Sequence, residues 1–175
     1  MSQVYRRADI PKLKGRNIFF DANVVLYLYF ATSSMKNWPK KYGEVFSALI
    51  HNSNNLILDY NVLSEVVNRE LRLNYENYKT LGGTALYKQW RNSADGRNAE
   101  SRTYALIKHI SSIFTIDGKV YDKTDIHPML TPSGLDFTDK AIINLCQAKD
   151  YVLLTNDKDF SGVDLDILSE NLYLI

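Results

Sequence analysis

Short apolar runs alternate with longer helical segments along this chain, and that alternation constrains its fold more than any other feature. Five runs are predicted to be strands: NIFF (17–20), NLILD (55–59), SIFTID (112–117), YVLLT (151–155) and NLYLI (171–175). Short strands separated by helices are typical of a mostly parallel sheet that is covered by helices on both faces. We therefore predict an α/β fold with three layers, α/β/α, around a mostly parallel sheet of about five strands.

The segments between these runs carry apolar residues at helical spacing. Four of them are predicted to be single helices: NVVLYLYF (23–30), WPKKYGEVFSALI (38–50), NVLSEVVNRELRL (61–73) and DFTDKAIINLCQAKD (136–150). Pro39 suits the first turn of its helix, where a proline leaves no hydrogen bond unmade. Residues 81–109 are predicted to form two helices, with interruptions at the glycine pair 82–83 and at Asp95-Gly96.

Length and composition favour a single domain. The chain has 175 residues, and no repeat, low-complexity segment or linker divides it. Its only cysteine is Cys146, so an internal disulfide is excluded and the spacing of a cysteine zinc site is absent. No stretch approaches the roughly 20 apolar residues that a membrane-spanning helix needs. We expect a soluble, single-domain protein in a reducing cytoplasm.

Charge is unevenly distributed along the chain. Residues 1–116 carry 16 Lys/Arg against 9 Asp/Glu, whereas residues 117–175 carry 5 Lys/Arg against 11 Asp/Glu. A metal site that acts on a polyanion needs carboxylates to hold the cation and a basic surface to attract phosphates. The distribution is compatible with such a site and equally with a plain acidic surface.

Acidic residues follow the predicted strands or open the helices after them. Asp21 ends the first strand, Glu65 lies in the first or second turn after the second strand, and Asp157 follows YVLLT. Asp136 and Asp139 open the amphipathic helix, three residues apart and therefore near one face. Because sites in open α/β sheets form beyond the carboxyl ends of the strands, these residues are expected to converge.

Carboxylates that are brought together repel one another, and a divalent cation relieves that repulsion. Oxygen ligands without a His or Cys pattern favour Mg²⁺ or Mn²⁺ over zinc.

Each of these acidic residues also has an ordinary structural explanation. Asp136 could cap its helix, with Asp139 favouring the helix dipole. Asp21 and Asp157 could likewise cap the elements that follow them, and Glu65 could be a solvated helix residue. These explanations do not account for the recurrence at strand ends in chain order, so a metal site is the preferred interpretation.

The residues around these positions resemble the PIN-domain family. The family's pattern is an apolar strand closing on an aspartate, a glutamate on the helix after the second strand, an aspartate opening a later helix, and threonine-x-aspartate after the fourth strand. The matching segments are IFFDANVVLYLY, LSEVVNRE, LDFTDKAIINLCQ and VLLTNDKDF, and the match runs from about Asn17 to Phe160. Compared with small toxin-type members, the chain is longer at about 76–110, where we predict a helical insertion.

The resemblance implies a Mg²⁺- or Mn²⁺-dependent endoribonuclease whose catalytic, metal-binding residues are Asp21, Glu65, Asp139 and Asp157. Such an enzyme hydrolyses RNA with a metal-activated water and is expected to leave a 5′-phosphate and a 3′-hydroxyl. Toxin-type members are commonly held inactive by an antitoxin. The candidate partners are therefore RNA, an antitoxin protein and a second copy of the chain.

Further residues are candidates for supporting roles. Four polar residues match positions close to the family's site: Asn23, Asp136, Thr155 and Asp159. Thr155 could orient a carboxylate. Five basic residues could meet phosphates, although a solvated basic face explains them equally well: Lys36, Lys40, Lys41, Arg69 and Arg72. Four tyrosines could stack on unpaired bases or simply pack against their neighbours: Tyr27, Tyr29, Tyr75 and Tyr78.

Other functions compete with this interpretation. A phosphatase of the haloacid-dehalogenase type also begins with a strand ending in aspartate, but it requires a second aspartate where this chain has Asn23. A receiver-type signalling domain needs an early acidic pair and a late lysine on a strand, and neither pattern is evident. The main alternative is a non-catalytic PIN-like module that binds RNA or a protein without cleaving.

Overall fold

The computed structural model of the protein describes residues 2–30 and 35–174. Within these ranges the strands are β1 (Val4–Tyr5), β2 (Asn17–Phe20), β3 (Asn55–Leu58), β4 (Thr115–Ile116), β5 (Val152–Leu154) and β6 (Ile167–Leu168). The helices are α1 (Ala22–Tyr29), α2 (Trp38–His51), α3 (Tyr60–Thr80), α4 (Tyr87–Arg91), α5 (Ala94–Ile113), α6 (Lys123–Met129) and α7 (Phe137–Lys149). Short 3₁₀ helices are found at Arg7–Leu13, Lys158–Phe160 and Leu172–Leu174.

All of these strands pair in parallel in one sheet, in the order β1-β6-β5-β2-β3-β4. Helices flank the sheet, so the predicted three-layer α/β fold is confirmed. The described part of the chain has six strands rather than about five. The sequence pattern does not reveal β1 and β6, because two residues are too few to form a recognisable apolar run.

The predicted strand at 171–175 is wrong. Residues Leu172–Leu174 form a 3₁₀ helix, and Ile175 lies outside the described residues. The Asn171 side chain accepts a hydrogen bond of 3.1 Å from the backbone N–H of Tyr173, and such local side-chain bonds compete with strand pairing. Strand β6 occupies the place beside β5 instead.

Two boundaries around α5 also differ from the prediction. The first two residues of SIFTID continue α5, which leaves only β4 as strand. Asp95-Gly96 does not interrupt a helix but lies in the first turn of α5, where the N–H of Gly96 donates to Oγ of the capping Ser93. A side chain at Gly96 would collide with the backbone of Trp90 and Arg91, so this glycine permits close packing of α4 and α5. The glycine pair at 82–83 does separate α3 from α4, as predicted.

The strand order reverses between β2 and β5. From β2 the chain proceeds through β3 to β4 on one side, whereas β5, β6 and β1 lie on the other. In the register of this pair Phe20 lies opposite Leu154, and the N–H of Asp21 donates to the Leu154 carbonyl at 3.0 Å. The residues just beyond both strands therefore lie side by side at a topological switch point, where open α/β sheets bind ligands.

The main core is built from the central strands and the inner faces of the helices. Ile18, Phe19 and Phe20 of β2 are fully buried, as is all of β5. A second, smaller cluster forms around Leu71, Trp90 and packing partners on α3, α4 and α5. In the described residues no helix is long and apolar enough to cross a membrane.

Candidate metal centre

A polar cavity of about 430 Å³ opens beyond the carboxyl ends of β2 and β5. All four predicted metal-site residues line it: Asp21, Glu65, Asp139 and Asp157. Three of the four predicted secondary residues line it as well: Asn23, Asp136 and Asp159. Acidic side chains from four separate segments of the chain thus face one space.

Asp21 is the most buried of these carboxylates, with 7% of the residue exposed. Its Oδ2 accepts hydrogen bonds of 2.6 Å from the Thr155 hydroxyl and 2.6 Å from the Asn23 amide. The pKa of Asp21 is raised to about 7, mainly by burial and to a smaller degree by the negative charges of Glu65 and Asp157, while the hydrogen bond from Thr155 acts in the opposite direction. Near neutral pH this carboxyl is poised between its two protonation states.

Thr155 connects two of the acidic residues. It is fully buried, directly after β5, and its hydroxyl donates to Asp21 while accepting a bond of 3.0 Å from the backbone N–H of Asp157. On the other side, Oδ1 of Asn23 accepts from the N–H of Asn156 at 3.2 Å. These bonds hold the loop after β5 against the start of α1, so the positions of Asp21 and Asp157 are coupled.

Asp157 and Asp159 lie in that loop. Oδ1 of Asp157 accepts from the N–H of Asp159 at 3.0 Å, which makes Asp157 the cap of the following 3₁₀ helix. Asp159 is exposed at the rim of the cavity. Asp157 therefore caps the 3₁₀ helix, as its ordinary explanation predicts, and it also lines the cavity.

Asp136 and Asp139 form a reciprocal cap at the start of α7. The N–H of Asp139 donates to Asp136 at 2.9 Å, and the N–H of Asp136 donates to Asp139 at 3.3 Å. Partial burial raises the pKa of Asp139 to about 6, and the charges of Asp136, Asp157 and Glu65 act in the same direction. The charges of Asp157 and Glu65 lie outside the cap, so Asp139 also interacts with the other carboxylates of the cavity.

Glu65 faces the cavity from the second turn of α3. Its Oε1 lies 2.8 Å from Nη2 of Arg69, one helical turn further on. Arg69 lines the same cavity and brings a positive charge to it. In this arrangement Glu65 has a cationic partner within its own helix.

The donor set of the cavity fits a hard divalent cation. Carboxylate and amide oxygens are the ligands that Mg²⁺ and Mn²⁺ prefer. Burial, together with the neighbouring carboxylates, raises the pKa values of Asp21 and Asp139, so a cation beside them would favour their ionised forms. Among the described residues, however, no three His, Cys, Asp or Glu side chains are already close enough together to hold an ion. Glu65 is turned to Arg69 and Asp139 to a backbone N–H, so binding would require these side chains to exchange partners.

Asp59 shows that a carboxylate at a strand end is not sufficient for a place in the site. It follows β3 and is buried, yet it caps α3 by accepting from the N–H of Val62 at 2.8 Å and from the amide of Asn61 at 3.0 Å. Asp59 is not among the residues that line the cavity. Strand β3 pairs with β2 on the side away from β5, so the residue that directly follows β3 does not lie at the switch point between β2 and β5.

The predicted basic residues separate into two groups. Arg69 and Arg72 line a second groove of about 380 Å³, which shares Glu65, Arg69 and Asp136 with the acidic cavity. The guanidinium of Arg72 lies 5.6 Å from the ring centroid of Tyr87. Three lysines at and before the start of α2 are exposed and line neither space: Lys36, Lys40 and Lys41.

Two residues that support the site carry no sequence signal for it. Tyr42 of α2 is fully buried, and its hydroxyl lies 3.0 Å from the Thr155 carbonyl and 3.1 Å from Oδ1 of Asn156. Asn171 lines the cavity and donates its amide to the Asn156 carbonyl at 2.6 Å. Both are distant from this loop along the chain, so no local pattern identifies them.

The predicted tyrosines are used for packing to different degrees. Tyr75 and Tyr78 stack at 6.1 Å and contact Trp90 in the second core cluster. Tyr27 lines the acidic cavity, where its hydroxyl accepts from the Asn156 amide at 3.1 Å. The packing interpretation therefore describes the first two, whereas Tyr27 belongs to the wall of the site.

Comparisons with protein-family models and with curated proteins find no match to this chain.

Proposed function

We propose that this chain is a metal-dependent endoribonuclease of the PIN type, which hydrolyses RNA with Mg²⁺ or Mn²⁺ bound by Asp21, Glu65, Asp139 and Asp157. One observation carries the proposal: carboxylates from four distant segments line one cavity at the switch point of the sheet. The resemblance of the surrounding motifs to the PIN-domain family supports the same activity.

Electrostatics favour a cation in this cavity. Burial is the main cause of the raised pKa values of Asp21 and Asp139, and repulsion from Glu65 and Asp157 contributes to both. A cation would remove that repulsion and favour the ionised form of every carboxylate in the set. Binding of the ion is therefore coupled to release of protons from Asp21 and Asp139.

A bound divalent ion supplies Lewis-acid polarisation of the scissile phosphate and lowers the pKa of an attacking water. The protein's own part is orientation. Thr155 and Asn23 fix Oδ2 of Asp21, and the N–H of Asp157 is held by Thr155. Arg69, which pairs with Glu65, would be available to a phosphate once Glu65 is engaged by the ion.

Partners beyond RNA rest on the resemblance alone. By that resemblance we include an antitoxin protein and a homodimer in the proposal, and we place the activity in the cytoplasm.

The test is cleavage of a labelled single-stranded RNA by the purified protein under single-turnover conditions. Cleavage should require Mn²⁺ or Mg²⁺, stop with EDTA, and leave a 5′-phosphate. Asp21→Asn and Asp139→Asn should reduce the rate by at least about a hundredfold, because each removes a ligand charge. Asp164→Asn, an exposed carboxylate outside the cavity, is the matched control. If both cavity variants cut as fast as that control, the activity belongs to a contaminant.

One observation favours the non-catalytic alternative. In the described residues no group of three metal-binding side chains is already close enough to hold an ion. A module that only binds RNA would retain RNA in a filter-binding assay with or without Mn²⁺ and would cleave it under neither condition. Tight binding of Mn²⁺ that is lost in Asp21→Asn would decide against this alternative.

A further inference from the structure

An apolar groove lies beside the acidic cavity, and neither core cluster of the described residues uses it. We propose that this groove binds one unpaired nucleobase of the RNA within one or two nucleotides of the cleaved bond. The inference rests on the proposed function in taking RNA as the ligand. It adds a base-binding subsite beside the carboxylates.

The groove has a volume of about 220 Å³ and lies between α6 and α7. We call it the α6–α7 groove; its lining residues are Asn61, Tyr121, Ile126, Met129, Phe137, Thr138 and Ala141. A buried cavity of about 150 Å³ can hold a benzene ring, so this space admits a planar base. Its walls are mainly aromatic and aliphatic, which suits the face of a base rather than a phosphate.

Phe137 contributes a partly exposed aromatic ring to the α6–α7 groove. It is the first residue of α7, 51% exposed, and packs into neither core cluster. Across the groove, the Tyr121 hydroxyl donates to the Ala141 carbonyl at 2.9 Å, so its polar atom is satisfied and its ring forms part of the wall. Two of the residues that line the open space of this groove are therefore aromatic. Aromatic rings are the usual stacking surfaces for unpaired bases.

A third groove adjoins both the α6–α7 groove and the candidate catalytic site. This groove, which contains Arg69 and Arg72, shares Asn61 and Thr138 with the α6–α7 groove, and shares Glu65 and Asp136 with the acidic cavity. One polynucleotide could thus place a phosphate at the carboxylates, its backbone along the two arginines and a base in the apolar groove.

The distance between the two ends of this path is short. Asp136 and Asp139 line the acidic cavity, while Phe137 and Thr138 between them line the α6–α7 groove. Both sites therefore use the first turn of α7, which measures about 10 Å across with its side chains. That separation sets the expected position of the bound base at one or two nucleotides from the cut.

The first experiment uses the RNA rather than the protein. In a single-stranded oligonucleotide with one mapped cut, an abasic residue is placed at each position around the cleaved bond. One position within two nucleotides of the cut should lower kcat/KM by about tenfold, because stacking of that base is lost. A flat profile over all positions, with cleavage that still depends on Asp21, overturns the base subsite and leaves the proposed function intact.

The second experiment links that position to Phe137. Phe137→Ala should lower kcat/KM for the intact RNA by about tenfold and abolish the abasic effect, whereas Phe137→Trp should retain both. Tyr60→Ala is the matched control, because Tyr60 is also an exposed aromatic residue at the first position of a helix but does not line the groove. Equal loss in Phe137→Ala and Tyr60→Ala would overturn the assignment.

Binding gives a readout that does not require cleavage. In the Asp21→Asn background, fluorescence anisotropy of a labelled single strand should show about tenfold weaker binding after Phe137→Ala. Unchanged affinity overturns the subsite and would direct attention to a protein segment as occupant. If the wild type binds RNA with this dependence on Phe137 but never cleaves, the proposed function fails while the subsite stands.

Discussion

The Thr155 hydroxyl donates a hydrogen bond of 2.6 Å to Oδ2 of Asp21, and the two residues are 134 positions apart in the chain. Through this bond the end of β5 is tied to the end of β2, at the point where the strand order reverses. The same oxygen of Thr155 accepts from the N–H of Asp157. One hydroxyl thus orients a buried carboxylate and holds the backbone that carries a second.

Replacing this hydroxyl should weaken metal binding. Thr155→Val keeps the shape of the side chain but removes a hydrogen bond that favours ionised Asp21. The pKa of Asp21 should therefore rise from its value of about 7. We expect Mn²⁺ affinity and cleavage at pH 7 to fall by about 10- to 100-fold, the usual effect of losing a partner of a metal ligand. Isothermal titration with Mn²⁺ measures the change. Thr155→Ser should restore most of the affinity, and equal affinities for the valine and serine variants would refute the role of the hydroxyl.

The metal-free protein should lose stability as pH rises from 5 to 8. The pKa values of Asp21 and Asp139 are raised to about 7 and about 6 from an unfolded value near 3.8, so the folded protein holds more protons than the unfolded chain in this interval. Stability therefore falls with rising pH, and the melting temperature in EDTA should drop by several degrees. Differential scanning calorimetry at both pH values provides the measurement.

The Asp21→Asn variant isolates the origin of that dependence. It cannot lose a proton at this position, so its melting temperature in EDTA should change much less between pH 5 and 8, and at pH 8 it should exceed that of the wild type. Mn²⁺ should raise the melting temperature of the wild type at pH 8 and have little effect on the variant. A wild type that is equally stable at both pH values would contradict the raised pKa values.

Arg69 should contribute to RNA binding rather than to metal binding. Arg69→Ala removes the partner of Glu65, so Mn²⁺ affinity should stay the same or increase, while KM for RNA should rise by several-fold. The salt dependence of RNA binding should weaken by about one unit of slope. Lys79→Ala, an exposed residue near the end of the same helix, is the control and should change neither quantity. Loss of Mn²⁺ affinity in Arg69→Ala would show that Arg69 positions Glu65 for the ion instead.

Tyr42 should act as a structural support of the loop after β5. Its buried hydroxyl lies within hydrogen-bond distance of the Thr155 carbonyl and the Asn156 side chain. Tyr42→Phe leaves these groups short of a donor, and we expect a loss of about 1–2 kcal/mol in the free energy of unfolding. Urea denaturation measures it, with Tyr60→Phe at an exposed position as the control. A variant as stable as the control would indicate that water replaces the hydroxyl.

Much of the fold could be predicted from local patterns. The apolar runs of β2, β3 and β5 and the capped amphipathic helix α7 were identifiable because buried strands and helix starts depend on neighbouring residues. The short strands β1 and β6 were not, since two residues carry no periodicity. The run at 171–175 was misread because its apolar content resembles a strand, whereas the Asn171 side chain bonds to the local backbone.

Part of the candidate site could be predicted in the same way. Asp21 and Asp157 follow strands, and Asp139 opens a helix, which are local properties. Asp59 also follows a strand, so its place in the sequence alone would predict that it belongs to the site. In the structure it caps α3 instead, and β3 does not border the switch point. Lys36 was predicted near the phosphates from its place in the chain, yet it lines neither groove.

By itself, the sequence determined the class of fold and the identity of the acidic residues, because hydrophobic periodicity and the chemistry at strand ends are written into short segments. Only the tertiary structure decided which of those residues share a cavity and that Thr155 contacts Asp21. It also decided that Tyr42 and Asn171 support the loop after β5. The physical reason is that parallel strands are joined by long crossover connections, so their partners are chosen by packing of the whole sheet and not by neighbouring residues.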